Sequence, residues 1–277
     1  MNMIESSASA SADAVRFDPF FGVIDRRNGW VPPLRYLLRR QRILSIIDAI
    51  AVGELLEIGC GAGALLVDLA RRGFACTGLE TSHRAAQTAE AIAAACGTRG
   101  RIVREARPEW PGSYDVVCAF DVLEHIKDDD SALRLWCDWI KPGGHLLLSV
   151  PAHSSRWGPG DVWAGHYRRY DRAPLLQLIA SQGLSVDYVE SYGFPLANLT
   201  ERAGRRTYTR LLRARGSTTK PELASAESGI QRDAYMSIFR WVESIPGRMA
   251  LRLNYQLQRL TRNVDIGSGY LVLATKP

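Results

Sequence analysis

The stretch 55–72 constrains the fold more than any other part of the chain. An apolar run ends in Glu57, three alternating glycines follow (Gly59, Gly61 and Gly63), and apolar residues then recur at helical spacing. This order predicts a strand, a tight glycine turn and a helix. Because glycine has no Cβ, a ligand can approach the turn closely, beside the free N–H groups at the helix start. The stretch therefore predicts a nucleotide-type ligand at the carboxyl end of a first strand.

Strand-like and helix-like segments alternate after this first unit. Further strands are predicted at 75–80, 101–104, 114–120, 145–151, 186–192 and 269–275. The alternation predicts an α/β fold, with a doubly wound, mainly parallel sheet and right-handed crossovers. The fourth strand, 114–120, is almost continuously apolar, as expected for a strand that is covered on both faces.

The chain divides into three parts by composition and pattern. Residues 1–17, which begin rich in Ser and Ala, predict a disordered or loosely ordered tail and not a secretory signal. Residues 18–193 and 267–277 contain the predicted strands and should form one domain. Residues 194–266 predict a helical insertion before the last strand, serving as an acceptor lid or as an interaction element.

Two features of the insertion leave its role open. The run 202–220 is rich in arginine and contains no acid, so it is either a solvated face or a contact with an anionic surface such as a membrane. The segment 248–262 carries an apolar stripe, which we predict to pack against the domain or a second subunit. A lid over the acceptor or a membrane-surface element is the alternative. The stripe contains Met249, Leu253, Leu257 and Leu260.

Composition excludes several classes of protein. The five cysteines form no CxxC pair, which favours small buried thiols in a reducing cytosol over a disulfide framework. No apolar run reaches the length of a membrane span. The five histidines lack zinc spacing, and no nucleic-acid-binding module is visible. We therefore expect a cytoplasmic monomer or homodimer with no nucleic acid partner.

The glycine spacing alone permits two cofactors. Gly59, Gly61 and Ala64 also satisfy a dinucleotide fingerprint, and Glu80 falls where such proteins place a ribose-binding acid, so an NAD-linked oxidoreductase remains an alternative. Glu57 favours a different ligand, because a carboxylate beside the turn suits a cationic ammonium group and repels a pyrophosphate. The chain also lacks the Tyr-x-x-x-Lys pair of many short-chain dehydrogenases.

Several motifs together resemble class I S-adenosylmethionine-dependent methyltransferases. Glu57-x-Gly59-x-Gly61-x-Gly63 resembles their first motif, and Asp115-Val116-Val117 with 121–126 resembles their fourth-strand motif. Lys141-Pro142-Gly143-Gly144 resembles the next motif. The segment 165–170 is similar to one in the ubiquinone-methyltransferase-like branch (type 11 or 12 methyltransferase domains). The resemblance implies a Rossmann-like seven-stranded sheet of order 3-2-1-4-5-7-6, with the seventh strand antiparallel.

The resemblance also implies how S-adenosyl-L-methionine is bound. Glu57 would orient the methionine ammonium group, and Glu80 would accept hydrogen bonds from both ribose hydroxyls through its two oxygens. Other positions would line the cofactor. They are Gly59, Cys60 and Gly61 through backbone atoms, Leu79 or Thr81 beside the adenine, Glu105 and Ala106 at the adenine amino group, and Phe120 and Asp121 toward the sulfonium.

The implied reaction is an in-line methyl transfer to a small-molecule acceptor, expected at oxygen, which usually requires a base. His125 is the first candidate, with a structural histidine at a helix start as the alternative. His166, Tyr167 and Arg169 are further candidates for base or acceptor contact, unless they only fix their loop. Another alternative is a lipid or saccharide-lipid acceptor at a membrane surface. A nucleic-acid acceptor is disfavoured, because the Asn-Pro-Pro-Tyr-type tetrad is absent after the fourth strand.

Acidic and histidine side chains also lie close together after the fourth strand. Asp121, Glu124 and His125 match the spacing at which ubiquinone O-methyltransferases surround a divalent ion, and three such groups could bind magnesium weakly. The pattern occurs widely without metal, so we expect no metal here.

Overall fold

A computed structural model describes residues 15–215 and 233–277, and its main feature is a seven-stranded sheet. In chain order the strands are β1 (Arg16–Asp18), β2 (Gly22–Ile24), β3 (Glu54–Ile58), β4 (Ala75–Leu79), β5 (Arg101–Val103), β6 (Tyr114–Phe120), β7 (Ile140–Pro151), β8 (Ser185–Tyr192) and β9 (Gly269–Thr275). The first two form a separate antiparallel hairpin. The other seven have the order β5-β4-β3-β6-β7-β9-β8, and β9 runs antiparallel to both of its neighbours. Counted from β3, this is 3-2-1-4-5-7-6, so the predicted fold class is confirmed.

Helices connect the strands and flank the sheet. They are α1 (Leu34–Ile47), α2 (Ala64–Ala70), α3 (His83–Ala95), α4 (Asp129–Trp139), α5 (Pro159–Ala164), α6 (Arg172–Ser181), α7 (Leu196–Arg215), α8 (Asp233–Glu243) and α9 (Ile245–Thr261). Two helix starts follow directly from local chemistry, because Ser82 and Asp128 accept hydrogen bonds from backbone N–H groups of the first turns of α3 and α4.

The core lies on both faces of the sheet, because alternate residues of each strand point to opposite sides. On β3, Leu55 belongs to the cluster that includes residues of α1, α2 and the hairpin, while Leu56 belongs to the cluster that includes residues of α4 and α6. All the carboxyl ends of the parallel strands meet at one edge of this sheet. The fold therefore brings the residues that follow β3, β4, β5 and β6 to the same edge.

Helix α1 buries two of its arginines in ion pairs. Arg40 donates two hydrogen bonds of 2.6 Å to Asp68 of α2, and both side chains are buried. Arg42 donates bonds of 2.8 and 2.9 Å to buried Glu190 of β8. Bidentate pairs of this kind fix orientation, since each charge would be costly to bury alone. They hold α1 beside the ligand edge of the sheet.

The start of the described chain corrects one prediction. Residues 1–14 of the predicted tail, 1–17, lie outside the described residues. Arg16 and Phe17, however, belong to strand β1, and the guanidinium carbon of Arg71 lies 4.4 Å from the centre of the Phe17 ring. Arg16 also pairs with Glu243 of α8. Tertiary contacts therefore order these two residues, although their composition gives no strong signal.

The insertion is helical where it is described, but its apolar stripe faces outward. Residues 216–232, including the end of the basic run 202–220, lie outside the described part of the chain. On α9 the stripe residues Met249, Leu253, Leu257 and Leu260 are exposed, so they do not pack against the domain. Packing against a second subunit, a lid and a membrane-surface element stay predictions. Among the described residues, no helix is both long enough and apolar enough to cross a membrane.

Candidate cofactor and acceptor site

The turn after β3 has the backbone that its glycines predict. Gly59, Gly61 and Gly63 have φ values of 65°, 56° and 69°, a region that favours glycine. A Cβ at Gly59 would lie 2.7 Å from the Val122 side chain, whereas a Cβ at Gly61 would meet no atom within 4 Å. The turn is thus closely packed on one side and open at Gly61. That open space beside backbone N–H groups is suited to a cofactor.

Glu80 follows β4 and lies directly against this turn. Its Oε2 accepts a hydrogen bond of 2.8 Å from the Gly61 N–H, and its Oε1 accepts one of 2.8 Å from the Ser82 N–H. Each carboxylate oxygen can accept further hydrogen bonds, so the group remains able to bind a vicinal diol. The Cys60 thiol is buried toward Gly78 of β4, so Cys60 can serve the site through its backbone only.

Glu57 is a buried carboxyl group at the end of β3. It is 4% exposed, and its Oε2 has no hydrogen-bond partner. Burial raises its pKa to about 8, while the Arg39 guanidinium acts in the opposite direction. A buried oxygen without a partner is costly in the folded protein and marks a place where a donor from a ligand would be accommodated. An ammonium group is such a donor.

The residues predicted at the adenine end lie on the loops after β4 and β5. The Glu80 N–H donates a hydrogen bond to the Val103 carbonyl, and this bond holds the two loops side by side. The open depression after β5 has a volume of about 330 Å³ and is lined by Ile102 to Arg107, including Glu105 and Ala106. Thr81, Glu105 and Ala106 are all exposed. These side chains therefore lie at the solvent-exposed end of the site.

Asp121 follows β6 and is held in a strained, left-handed backbone conformation, with φ of 57°. Its carboxylate pairs with Arg39 and lies 3.6 Å from Arg35 Nε. It also accepts hydrogen bonds from the hydroxyls of Ser149 (3.1 Å) and Tyr192 (3.3 Å). Burial alone would raise its pKa, but Arg39 and Arg35 outweigh it and lower the value to about 2. Asp121 is therefore ionised at neutral pH.

Sequence reasoning placed Asp121 in the site but missed its partners. Arg35, Arg39, Ser149 and Tyr192 come from α1, β7 and β8, far apart in the sequence. The sequence signal for the arginines is that four of them, at 35, 39, 40 and 42, lie close together on one helix. The Phe120 side chain is buried beside this group, with the Arg39 guanidinium carbon 5.9 Å from its ring centre.

The two predicted histidines meet at the next turn of the chain. The rings of His125 and His166 stand edge to face with centres 4.6 Å apart. Burial and, to a smaller extent, the neighbouring His166 together lower the pKa of His125 to about 4. Glu124 is fully buried, neither of its carboxyl oxygens has a hydrogen-bond partner, and burial raises its pKa well above the usual range.

His166 differs from His125 because a carboxylate fixes its ring. Its Nδ1 lies 3.0 Å from Asp161 Oδ1, and the same oxygen accepts a 2.8 Å hydrogen bond from buried Arg169. With Nδ1–H donating to Asp161, Nε2 carries the lone pair that can take a proton. Sequence reasoning missed Asp161, which lies five residues before His166. Tyr167, the third predicted catalytic residue, donates its backbone N–H to the Glu124 carbonyl at 2.8 Å.

The same turn contains the groups that could hold a metal ion. One ligand atom each from Glu124, His125 and His166 lies within 4.8 Å of the others. This set of two imidazoles and one carboxylate differs from the grouping of Asp121, Glu124 and His125 considered from the sequence. Asp121 is already neutralised by two arginines, which leaves it a poor ligand. The set could accept a transition-metal ion such as Zn²⁺, whose ligands it contains.

Comparisons with known proteins agree with this geometry. A family model described as a methyltransferase domain matches residues 33–189. A ubiquinone biosynthesis O-methyltransferase of Yersinia pestis (strain Pestoides F) is 34% identical over 117 residues, which is 41% of this chain and 48% of that protein. The chain therefore matches about half the length of this curated relative.

Solved structures of methyltransferases share the fold at low sequence identity. Phosphoethanolamine N-methyltransferase 2 of Haemonchus contortus, in complex with S-adenosyl-L-methionine, is 19% identical with a TM-score of 0.53, over 86% of this chain and 52% of that one. An S-adenosylmethionine-dependent methyltransferase from Mesorhizobium loti is 14% identical with a TM-score of 0.53, over 88% and 98%. At these identities the likeness establishes the fold alone.

Proposed function

Because the chain belongs to the methyltransferase-domain family and is an S-adenosylmethionine-dependent enzyme, we propose that it methylates a hydroxyl oxygen of a small molecule, with His166 as the base. The observation that carries the proposal is the pairing of His166 with Asp161 in a turn that also adjoins Asp121. When bound, S-adenosylmethionine supplies an electrophilic methyl group on a sulfonium. The protein must bind it, position the acceptor and remove the acceptor's proton.

The methionine end of the cofactor would be held by opposite charges. An amino acid zwitterion carries an ammonium and a carboxylate on the same carbon. Glu57 offers a buried, unpartnered oxygen for the ammonium, and Arg39 interacts electrostatically with both Glu57 and Asp121. We therefore assign the ammonium to Glu57 and the carboxylate to Arg39, with Arg35 in support.

The nucleoside end would be held by the loops after β4 and β5. Glu80 would accept hydrogen bonds from the ribose hydroxyls while it keeps its bonds to the backbone N–H groups of Gly61 and Ser82. Gly61 leaves room in front of the turn, and the depression that contains Glu105 and Ala106 would receive the adenine.

Proton removal supports oxygen as the methylated atom. A hydroxyl group is a weak nucleophile until a base takes its proton, whereas a neutral amine already has a free lone pair. Asp161 orients His166 and stabilises the charge that forms when Nε2 accepts that proton. His125 is less suited to this task because its pKa of about 4 makes it a weak base at neutral pH. The relative from Yersinia pestis is itself an O-methyltransferase by name, which supports the same atom.

A methyl-transfer screen with matched acceptors tests the proposal. The protein is incubated with methyl-labelled S-adenosylmethionine and ring compounds supplied in hydroxyl, amino and thiol forms, and with extract fractions of the source organism. We expect labelled methyl ethers and no labelled amines. Methylation of the amino form, with the hydroxyl form unreacted, would reject oxygen as the acceptor atom while leaving the cofactor assignment intact.

The position of Glu57 predicts that cofactor binding depends on pH. With a pKa of about 8, the unliganded carboxyl group holds a proton at neutral pH, and a bound ammonium would favour its release. Affinity for S-adenosylhomocysteine should therefore rise with pH up to about 8, by as much as about tenfold per unit. Calorimetry in buffers of different ionisation enthalpy measures the released proton.

The matched control for this prediction is Glu57→Gln, which should bind more weakly and without the pH dependence. An affinity of the wild-type protein that stays constant between about pH 6 and 8 would contradict the assigned role. The same pKa shift means that the folded, unliganded protein holds a proton that the unfolded chain releases. Its stability should therefore decline as the pH rises toward about 8.

A further inference from the structure

Helix α9 has two different faces, and the more apolar one points to solvent. The face toward the domain contains Leu251, Asn254 and Gln258, which are 2%, 6% and 1% exposed. Gln258 donates hydrogen bonds there to the Leu38 carbonyl (3.1 Å) and Gln41 Oε1 (2.9 Å). The helix is thus attached to the domain in part through polar groups. This reverses the usual arrangement, in which the large apolar residues of a helix face the core.

The outward face of α9 is formed by five large apolar side chains. Ile245, Met249, Leu253, Leu257 and Leu260 are 78%, 62%, 63%, 38% and 76% exposed. At 3.6 residues per turn they lie within one arc of about 120°. Single exposed apolar residues are ordinary, but a row of five along one helix marks an interaction surface.

The charged residues of α9 itself all have one sign. Helix α9 contains Arg248, Arg252 and Arg259 and no acid, and the last two arginines are exposed. In the sequence from 236 to 261, which covers the end of α8 and all of α9, Glu243 is the only carboxylate. It is neutralised by Arg16 and Arg26. A partner for this surface must therefore offer both apolar groups and negative charge.

Helix α8 also exposes apolar residues beside an arginine. Ile238 and Trp241 are 48% and 58% exposed, and Arg240 beside them is exposed as well. Tryptophan is favoured where an apolar phase meets water, because its ring is apolar and its N–H needs a polar partner. Both helices therefore expose apolar residues together with arginine.

We propose that the outward face of α9 docks the protein on an anionic lipid bilayer. Its five apolar side chains enter the boundary between headgroups and acyl chains, and Arg252 and Arg259 contact lipid phosphates. A second copy of the chain fits less well. Two-fold pairing of this face would bring the arginines of both copies together, and α9 itself contains no acid to neutralise them. The proposal concerns docking and is independent of the methylated atom.

Vesicle flotation of the full chain tests the proposal. We expect the protein to float with vesicles of phosphatidylcholine and about 30 mol% phosphatidylglycerol, not with phosphatidylcholine alone, and to dissociate as salt is raised. The double variant Leu253→Gln/Leu257→Gln should bind at least about tenfold more weakly, because it removes two of the five inserted side chains. Arg259→Glu should weaken binding to anionic vesicles in the same direction.

The matched control is Leu135→Gln, the same substitution at a leucine that is 49% exposed on α4. It should bind vesicles like the wild-type protein, and S-adenosylhomocysteine calorimetry shows that every variant is folded. The proposal would be overturned if the double variant bound vesicles as well as the wild-type protein does. It would also be overturned if the wild-type protein bound neutral and anionic vesicles equally, or bound neither. A dimer seen by light scattering without vesicles, dissociated by the double variant and unable to float, would identify a second copy as the occupant instead.

Discussion

The Gly61→Val variant should bind S-adenosylhomocysteine at least about a thousandfold more weakly than the wild-type protein, because its side chain would occupy the cofactor's place. The turn after β3 is open at Gly61, where a Cβ would meet no protein atom within 4 Å. The protein can therefore accommodate the added atoms, but a ligand that lies against the turn would clash with them. Calorimetric titration with S-adenosylhomocysteine measures the loss, and circular dichroism shows whether the variant is folded.

The chain offers a matched control for this experiment in Gly97→Val. Gly97 also has a positive φ, 65° against 56° at Gly61, and its Cβ position is likewise free of neighbours within 4 Å. It lies after α3 and before β5, at the opposite edge of the sheet from the cofactor turn. Both variants should lose about 1–3 kcal/mol of stability from backbone strain, but only Gly61→Val should lose the cofactor. Equal affinities in the two variants would place the cofactor elsewhere.

The His166→Ala variant should bind the cofactor normally and lose about 10²- to 10⁴-fold in kcat for a hydroxyl acceptor. His166 makes no contact that we assign to the cofactor, and its Nε2 is the nitrogen left to accept a proton while Nδ1 lies against Asp161. Steady-state kinetics over a range of pH measures the effect. If His166 is the base, the remaining activity of the variant should also increase with hydroxide concentration.

His125→Ala serves as the comparison, because its ring contacts His166 edge to face. If His166 is the base, this variant should keep most of the turnover and shift its pH profile only slightly. Asp161→Asn should lower kcat more than it raises KM, since it removes the charge that orients the ring. If His166→Ala kept full turnover across the pH range while His125→Ala was inactive, His125 would be the base instead.

The cofactor turn was predictable because its parts are adjacent in the chain. Gly59, Gly61 and Gly63 adopt the positive φ values for which glycine is suited, and Glu57 lies directly before them. Glu80 was predictable because it ends the next strand, and the ends of neighbouring parallel strands meet at one edge of the sheet. Glycine spacing alone left NAD as an alternative, and membership of the methyltransferase family decides for S-adenosylmethionine.

The acceptor end was only partly predictable, because its groups come from distant parts of the chain. Arg39 on α1 and Asp121 after β6 are drawn together by the fold, and no short motif connects them. The sequence indicated His125 from its place after the fourth strand, and His166 and Tyr167 from the segment 165–170. The sequence could not show which of the two histidine rings is oriented by a carboxylate. That distinction depends on a 3.0 Å contact between Asp161 and His166.

The sequence by itself determined the sheet and, through the family resemblance, its strand order and its cofactor. It did so because the periodicities and motifs that indicate these features each span only a few adjacent residues. Tertiary structure decided how deeply each charged group is buried and which face of α9 meets solvent. The apolar stripe of α9 was visible in the sequence, but its direction was not. Polar contacts of Gln258 fix the helix with that stripe outward, because a buried amide must find hydrogen-bond partners and an exposed leucine need not.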